Sequence, residues 1–303
     1  SVPVYLNLAP NFDATVSPRY IADRGAMLEG EFRYLTENFG SGQIWGGYLA
    51  SDAKYDEQDR KDLHFLHSWK INNQFSTNLE YNYASDKDYF ADLNNNPNSK
   101  TDLNLRRAWE LNYRNGIPGL KAQLKVEDFQ TLDQSIAYEK RPYARLPQFL
   151  LNYKTGNPQG FQVEFNNDTA YFKKDLAAQD GEPSGTRIYN DFAVRYNYRN
   201  PWSFVIPEVS LRNINTFYDK ETLSTDTYKS SSKSESVTVP QFTLDTGITF
   251  EKDGRFLQTI TPRAFYAYAP YRNQNDHPNF DSATASFNYA KLLSQDLFYG
   301  QTR

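Results

Sequence analysis

The chain has 303 residues, 33 basic and 37 acidic side chains, a net charge of -4 and no cysteine. That balance excludes the basic footprint of a nucleic-acid binder and any disulfide framework within this stretch, and it leaves the redox compartment unread. Mean hydropathy is -0.77; no apolar run reaches the ~18 residues of a membrane helix, which says nothing against membrane strands, whose alternating faces keep the average low. At this length two soluble domains or one large β domain are open. Aromatics make up 16% of the chain, with 23 Tyr and 21 Phe, and that favours a barrel with aromatic girdles over a soluble sandwich.

The chain opens directly in strand-like sequence with no signal peptide, as expected of a piece cut from a longer protein. In Val2–Leu35, Val4, Leu6 and Leu8 alternate with Tyr5, Asn7 and Ala9, and Leu28, Gly30, Phe32 and Tyr34 alternate with Glu29, Glu31 and Arg33. Side chains that alternate in this way lie on opposite faces of strands. Pro3, Pro10 and Pro18 punctuate the stretch. Proline has no N–H for a neighbouring strand and belongs at edges, strand starts or bulges. The three prolines therefore either make a weakly hydrogen-bonded seam at the start of the sheet or simply bound a short strand and block edge-to-edge aggregation.

Further strands follow the same pattern. Phe75, Thr77, Leu79, Tyr81 and Tyr83 share a face, as do Leu103, Leu105, Trp109, Leu111 and Tyr113. So do Leu120, Leu124 and Val126, then Phe192, Val194, Tyr196 and Tyr198, then Phe242, Leu244, Ile248 and Phe250. Helical periodicity is almost absent. Arg107 falls on the apolar stripe between Leu105 and Trp109. At a bilayer midplane it would cost roughly 2–4 kcal/mol, so it belongs near an interface, snorkels, or follows a bulge.

Short connections rich in Gly, Pro or Asn (Asn38–Gly42, Asn72–Asn73, Asn115–Gly119, Thr155–Gly160, Asn200–Ser203, Lys252–Gly254) alternate with long polar ones. The long ones are Asp52–Asp62, Asp86–Thr101, Thr131–Arg141, Lys174–Thr186, Tyr218–Ser236 and Tyr271–Ser282. Outer-membrane barrels alternate their turns in this way, and a sandwich has no reason to. The reading is all-β: about fifteen antiparallel transmembrane strands, each of ~9–11 residues, in one partial barrel domain over residues 1–303. The odd count and a last strand near Ala283–Tyr289 that closes nothing both fit an incomplete barrel. If Asn38–Gly42 lies on the short-turn side, Phe12–Tyr20 runs away from it, and Val2–Leu8 either returns towards it or sits below as a linker.

Candidate chemistry is sparse. His64 and His67 are three apart on a strand and so on opposite faces, unable to share a metal; His277 stands in a loop. Asp92, Asn94, Asn96 and Asn98 have the spacing of a calcium loop, but Pro97 replaces its glycine and Leu103 its bidentate Glu, so this reads as a solvated loop. Lys229–Val237 is a flexible polar loop by composition. No catalytic motif appears, and no cofactor or metal is implied. A polar wall of Glu31, Arg33, Glu80, Arg106, Glu110, Lys121, Lys125 and Arg195 is expected to face the lumen. It is either a solvated, ion-paired wall or a conduit for an amphipathic, charged cargo.

Several segments resemble the LptD family, the lipopolysaccharide-assembly proteins of Gram-negative outer membranes. They are LAPNFDATVSPRY (Leu8–Tyr20), GEFRYL (Gly30–Leu35), SDKDYFADL (Ser85–Leu93), LPQFLLNY (Leu146–Tyr153), VPQFTLD (Val239–Asp245) and QTITPRAFYAYAPYRNQ (Gln258–Gln274). They run in order from end to end, and their joint order makes them specific. The resemblance implies the first half or slightly more of a very large barrel, with a periplasmic jelly-roll domain before Ser1 and closing strands after Arg303. It implies that lipopolysaccharide is passed up by a periplasmic bridge protein and leaves through a lateral opening between the first and last strands into the outer leaflet, among outer-membrane lipids. It also implies a plug lipoprotein of the LptE type in the lumen, with Pro3 and Pro18 where the family's gate-weakening prolines lie and Pro10 between them. The family's disulfide cysteines lie outside this stretch. The rival readings are a porin-like channel for small solutes and a membrane hydrolase acting through His64 or His277.

Overall fold

A computed structural model describes residues 2–93, 103–137, 140–156, 158–174, 184–219, 234–274, 280–281, 283–284 and 298–299. His277, Asn94, Asn96, Pro97 and Asn98, the Lys229–Lys233 part of the polar loop and most of the expected strand near Ala283–Tyr289 lie outside them. The strands are β1 (Val4–Ala9), β2 (Phe12–Ile21), β3 (Gly25–Thr36), β4 (Gly40–Asp52), β5 (Gln58–Lys70) and β6 (Phe75–Ala84), then a short helix α1 (Tyr89–Leu93). There follow β7 (Asn104–Tyr113), β8 (Leu120–Thr131), β9 (Ala144–Lys154), β10 (Gly160–Lys173), β11 (Gly185–Asn200), β12 (Ser203–Tyr218) and β13 (Ser234–Ile248). The last are β14 (Phe250–Lys252), β15 (Gln258–Ile260), β16 (Arg263–Tyr268), β17 (Ala283–Thr284) and β18 (Phe298–Tyr299).

Strands β1 to β13 and then β16 form a 14-stranded sheet in sequence order, while β14–β15 and β17–β18 are separate two-stranded ribbons. Every pairing with a resolved register is antiparallel. The sheet is open, with β1 and β16 at its edges. It holds fourteen strands rather than about fifteen, so the awkward odd count disappears, and Val4–Ala9 is a paired strand rather than a linker. No helix among the described residues is long and apolar enough to cross a membrane. The chain divides into two compact units, residues 1–113 with 123–147, and residues 114–122 with 148–303.

In the first unit the register lines side chains up in rows. Asp13, Arg33, Gln43, Leu66, Glu80 and Ala108 stand side by side across six strands, and Glu31, Trp45, His64 and Asn82 form the next row on that face. The opposite face carries Phe32, Ile44, Phe65 and Tyr81, then Tyr34, His67, Leu79 and Trp109. Rings run along it: Phe12 stacks on Phe32, Phe32 on Tyr34, and Tyr34 on His67, whose Nδ1 shares a 2.7 Å hydrogen bond with the Tyr34 hydroxyl. His64 and His67 are on opposite faces, as their spacing requires.

In the second unit the same alternation is inverted relative to a soluble protein. Val163, Val194, Val209, Phe242 and Tyr268 form one cross-strand row, with Val209 59% exposed. The neighbouring row on the other face carries Arg195, Glu208 and Thr243, with Glu208 only 7% exposed. Apolar side chains face out and polar ones are covered, which is the arrangement of barrel strands with a polar lumen and not of a sandwich.

Two expected connections differ. The long connection at Asp52–Asp62 is only residues 53–57, and the turn after β2 is residues 22–24, so short and long connections alternate only from β5 onward. The 53–57 turn has no glycine. It closes through Asp56 and Glu57 in left-handed conformation and through Asp52, whose side chain accepts the Lys54 N–H at 3.0 Å. Phe250 does not continue β13: the chain leaves the sheet at Ile248, makes the β14–β15 ribbon and re-enters after Pro262, whose carbonyl accepts the Ile248 N–H. Strands β11 and β12 have 16 residues each, longer than the ~9–11 that a membrane-spanning strand needs.

The apolar core sits around α1, which the long connection after β6 folds onto the polar-facing side of the first unit. Tyr89, Phe90 and Leu93 pack with Met27, Leu49, Ala84, Leu105 and Leu132. Gly47 permits the approach, since a Cβ there would press on the Met27 methyl and the Tyr89 hydroxyl.

Candidate functional site: the first seam and the polar wall behind it

The three prolines occupy three different positions. Pro18 lies within β2, and its carbonyl accepts the Val2 N–H at 3.2 Å. A hydrogen-bonded antiparallel pair normally exchanges two such bonds, and Pro18 has no N–H to return. Its missing bond is therefore on the β1 side, while the β2–β3 register runs without a shift from Phe12 to Ile21. Pro3 stands just before β1 and, having no N–H, adds no donor at that end of the strand. Pro10 is in the tight turn with Asn11, outside the ladder. A register shift between Asn7 and Ala9 interrupts the seam again. Strand β1 itself is exposed on both faces, with Leu8 58% and Tyr5 59% accessible.

The expected polar wall divides into separate groups. Arg33 grips Asp13 with two bonds of 2.8 and 2.9 Å, and Glu31 accepts from the Gln43 amide at 2.9 Å. Arg106 donates to Glu80 at 2.5 Å, Glu127 at 2.7 Å and Glu110 at 2.8 Å. Glu127 also takes Arg145 and, at 3.2 Å, Lys125. Three cations thus face three carboxylates. Arg33, Glu80, Arg106 and Glu110 line one open cavity of about 520 Å³. Lys121 is exposed and belongs to the second unit. Arg195, also in that unit, pairs with Glu208 at 2.6 Å and lies 3.7 Å from Glu164.

Sequence reasoning missed the residues that complete these networks. Asp13 is directly opposite Arg33 and Glu127 is at the centre of the Arg106 group; both sit on polar stripes, but only the register says which charges meet. It also missed two buried arginines that tie loops to the sheet. Arg60 donates to Asp52, Asp86 and Asp92 and lies over the Tyr55 ring at 4.2 Å. Arg187 holds Asp281 and lies over Phe172, which stacks on Phe280.

Arg107 follows a bulge. The regular β6–β7 register stops at Glu80↔Ala108, and Leu105 and Ala108, three apart, both line cavities on the polar-facing side. Strict alternation forbids that, so the strand slips by one residue between them. Arg106 then enters the carboxylate group, while Arg107 bonds the Asn82 carbonyl and Gln130 and lies over the Tyr81 ring at 5.0 Å.

A second cavity, of about 490 Å³, lies under α1. The Tyr89 hydroxyl donates to Asp62 at 2.6 Å, the Gly47 N–H donates to the same oxygen at 2.6 Å, and His64 lies between Asp62 and Asn82. Burial first, and then the Asp62 carboxylate, hold the Tyr89 hydroxyl well above the ordinary tyrosine range. Among the described residues no group of His, Cys, Asp and Glu could hold a metal ion.

An antiparallel sheet with apolar rows exposed on one face and paired charges on the other has the pattern of transmembrane β-barrel strands. Comparison with known proteins narrows this class. The model of the LptD family, LPS transport system D, matches residues 58–303, and the chain belongs to that family. It is 69% identical to an LPS-assembly protein LptD of Acinetobacter baumannii, over 100% of this chain and 37% of that protein. It is 40% identical to the LptD of Psychrobacter cryohalolentis and 34% identical to that of Neisseria meningitidis serogroup B, each again over 100% of this chain. The chain spans 37%, 32% and 37% of the length of these three relatives.

Proposed function

We propose that these strands are part of an outer-membrane barrel that inserts lipopolysaccharide into the outer leaflet through a lateral gate at β1. Pro3, Pro10 and Pro18 mark the gate, and the polar wall lines the path of the head group. The observation that carries the reading is the single bond between Val2 and Pro18, beside the β1 edge of the sheet. In lipid each unmade backbone bond costs several kcal/mol, so a seam already short of bonds parts at lower cost than a fully bonded one. Acyl chains would then enter the bilayer core while the charged sugar head stays against Arg33, Glu80, Arg106 and Glu110. Such passage needs no covalent chemistry. The family's name supports lipopolysaccharide as the cargo; a plug lipoprotein and a periplasmic bridge protein are the partners this reading requires.

The test is photo-crosslinking in cells. A crosslinking residue is placed in the full-length protein at Leu6, Leu8 or Val16, beside the prolines, and at Leu124 on a distant strand. Lipopolysaccharide adducts are expected at the first three and not at Leu124. Equal labelling at all four, or none at the seam, would refute the gate.

A further inference from the structure

The cavity under α1 lies directly behind β2 and β3, and its chemistry differs from that of the paired wall beside it. Trp45 forms one side and is partly exposed there. His64 stacks on it at 4.9 Å and 10°, and His64 is itself fixed by Asn82 at 2.7 Å and Asp62 at 3.1 Å. The indole is thus braced from one side and cannot turn out of the cavity without breaking that stack. Beside it, on the neighbouring strand β3, stand Glu29 and Glu31. Glu31 gives one oxygen to Gln43 and to Arg33 at 3.5 Å, and Glu29 lies 3.6 Å from Arg19; both carboxylates keep further lone pairs for a ligand. Thr15 and Ser17 line the β2 side with hydroxyls that have no partner among the described residues.

We infer that this cavity is a saccharide subsite that takes a neutral, unphosphorylated pyranose ring. A pyranose has a C–H face that packs on an aromatic ring and a rim of hydroxyls that both donate and accept. The braced indole supplies the platform, the two glutamates accept from ring hydroxyls, and the Thr15 and Ser17 hydroxyls donate to ring oxygens. The volume, about 490 Å³, lies within the ~300–1,000 Å³ of small-ligand sites. Charge sets the selectivity. Glu29, Glu31 and Asp62 line the cavity and among the described residues no Lys or Arg does, while Arg19 and Arg33 stand 3.6 and 3.5 Å from the two glutamates, so three carboxylates meet two arginines. A phosphorylated or carboxylated sugar would bring like charge into that concavity. The position of this subsite on an export path rests on the transport reading; the binding does not.

The experiment is saturation-transfer NMR on the full-length protein, purified from membranes with its co-purifying partners, using methyl β-glucoside and glucose 6-phosphate as probes. The ring C–H protons of methyl β-glucoside are expected to take up saturation. Trp45→Ala should reduce the effect about fivefold, the loss of one aromatic contact, and Trp45→Phe should restore most of it. Glu31→Gln should weaken it, and glucose 6-phosphate should give a far smaller effect than the neutral glycoside. Heat-modifiable mobility on a gel reports folding; if Trp45→Ala does not fold, Trp45→Phe against Glu31→Gln and the two probes carry the test. Equal transfer in the wild type and all folded variants, or equal transfer to both probes, would overturn the subsite and leave the transport reading standing. Lost sugar transfer with unchanged lipopolysaccharide adducts at Leu6 and Val16 would overturn only its place on the path.

Discussion

Glu127 is 4% exposed and answers three cations that each keep some contact with water: Arg106, Lys125 and Arg145. Removing one partner of a buried ion group leaves the others uncompensated. Glu127→Gln should therefore destabilise the full-length barrel by about 2–3 kcal/mol, below the full buried-pair penalty because the cations are partly solvated. Glu80, whose side chain is 32% exposed, should cost under ~1 kcal/mol on the same change. Urea unfolding in detergent compares the two, and similar losses would contradict the burial argument. Pro18 tests the seam at the same scale. Pro18→Ala supplies the missing N–H opposite Val2, and one backbone bond adds about 0.5–1.5 kcal/mol. If the seam must part, surface lipopolysaccharide should fall while resistance to thermal unfolding rises; a gain in stability with unchanged export would separate the proline from the gate. Some of this was legible in the sequence. The prolines and the alternation of Glu31, Arg33, Glu80 and Arg106 were visible as residue types, but Asp13 and Glu127 look like any other polar positions until the register sets them against Arg33 and Arg106.

At the scale of elements, the sequence carried the strands well because period two is enforced on both faces by different solvents. It failed where a local feature replaced that period. The 53–57 turn has no Gly or Pro to announce it; Asp52 and two left-handed acidic residues close it. The slip before Ala108 leaves Arg106 and Arg107 adjacent, and no local pattern says which of them crosses to the carboxylates. Helix α1 has five residues in a polar connection, too short for a helical period to register. Its place is set by tertiary contacts: the apolar packing of Tyr89, Phe90 and Leu93, the arginine bonds to Asp92, and the Tyr89 hydroxyl on Asp62. Tyr89→Phe removes that bond while Gly47 still satisfies the carboxylate oxygen, so about 1–2 kcal/mol of local stability should be lost. Hydrogen exchange of the Asp88–Leu93 amides should then quicken while the β3–β5 amides stay protected. The pH dependence has a definite sign. With the folded value raised, the hydroxyl's contribution is complete below the ordinary tyrosine value of about 10 and declines as pH climbs above it. Tyrosinate absorbance should reveal one hydroxyl that resists ionisation through the ordinary range and is missing from the Tyr89→Phe variant.

At the scale of the whole molecule the governing fact is the inversion of burial. Large apolar side chains such as Val209, Leu211, Phe192 and Tyr266 stand exposed, while Arg60, Arg187, Asp52 and Thr216 are among the most completely buried residues. A water-soluble monomer tolerates neither contiguous exposed apolar surface, which drives association, nor an unpaired sheet edge, which templates it. The described sheet has both, with β1 and β16 unpaired at its two edges. The 303-residue chain produced by itself in buffer should therefore sediment as large assemblies. Detergent should reduce their size by covering the apolar rows, but it cannot supply strands to the two edges, so a uniform monomer is not expected even there. Analytical ultracentrifugation with and without detergent separates the two contributions. A monodisperse monomer in plain buffer would mean that the apolar rows are covered by the chain itself, and the outward-facing reading of the sheet, with the lipid-facing role of its rows, would have to be given up.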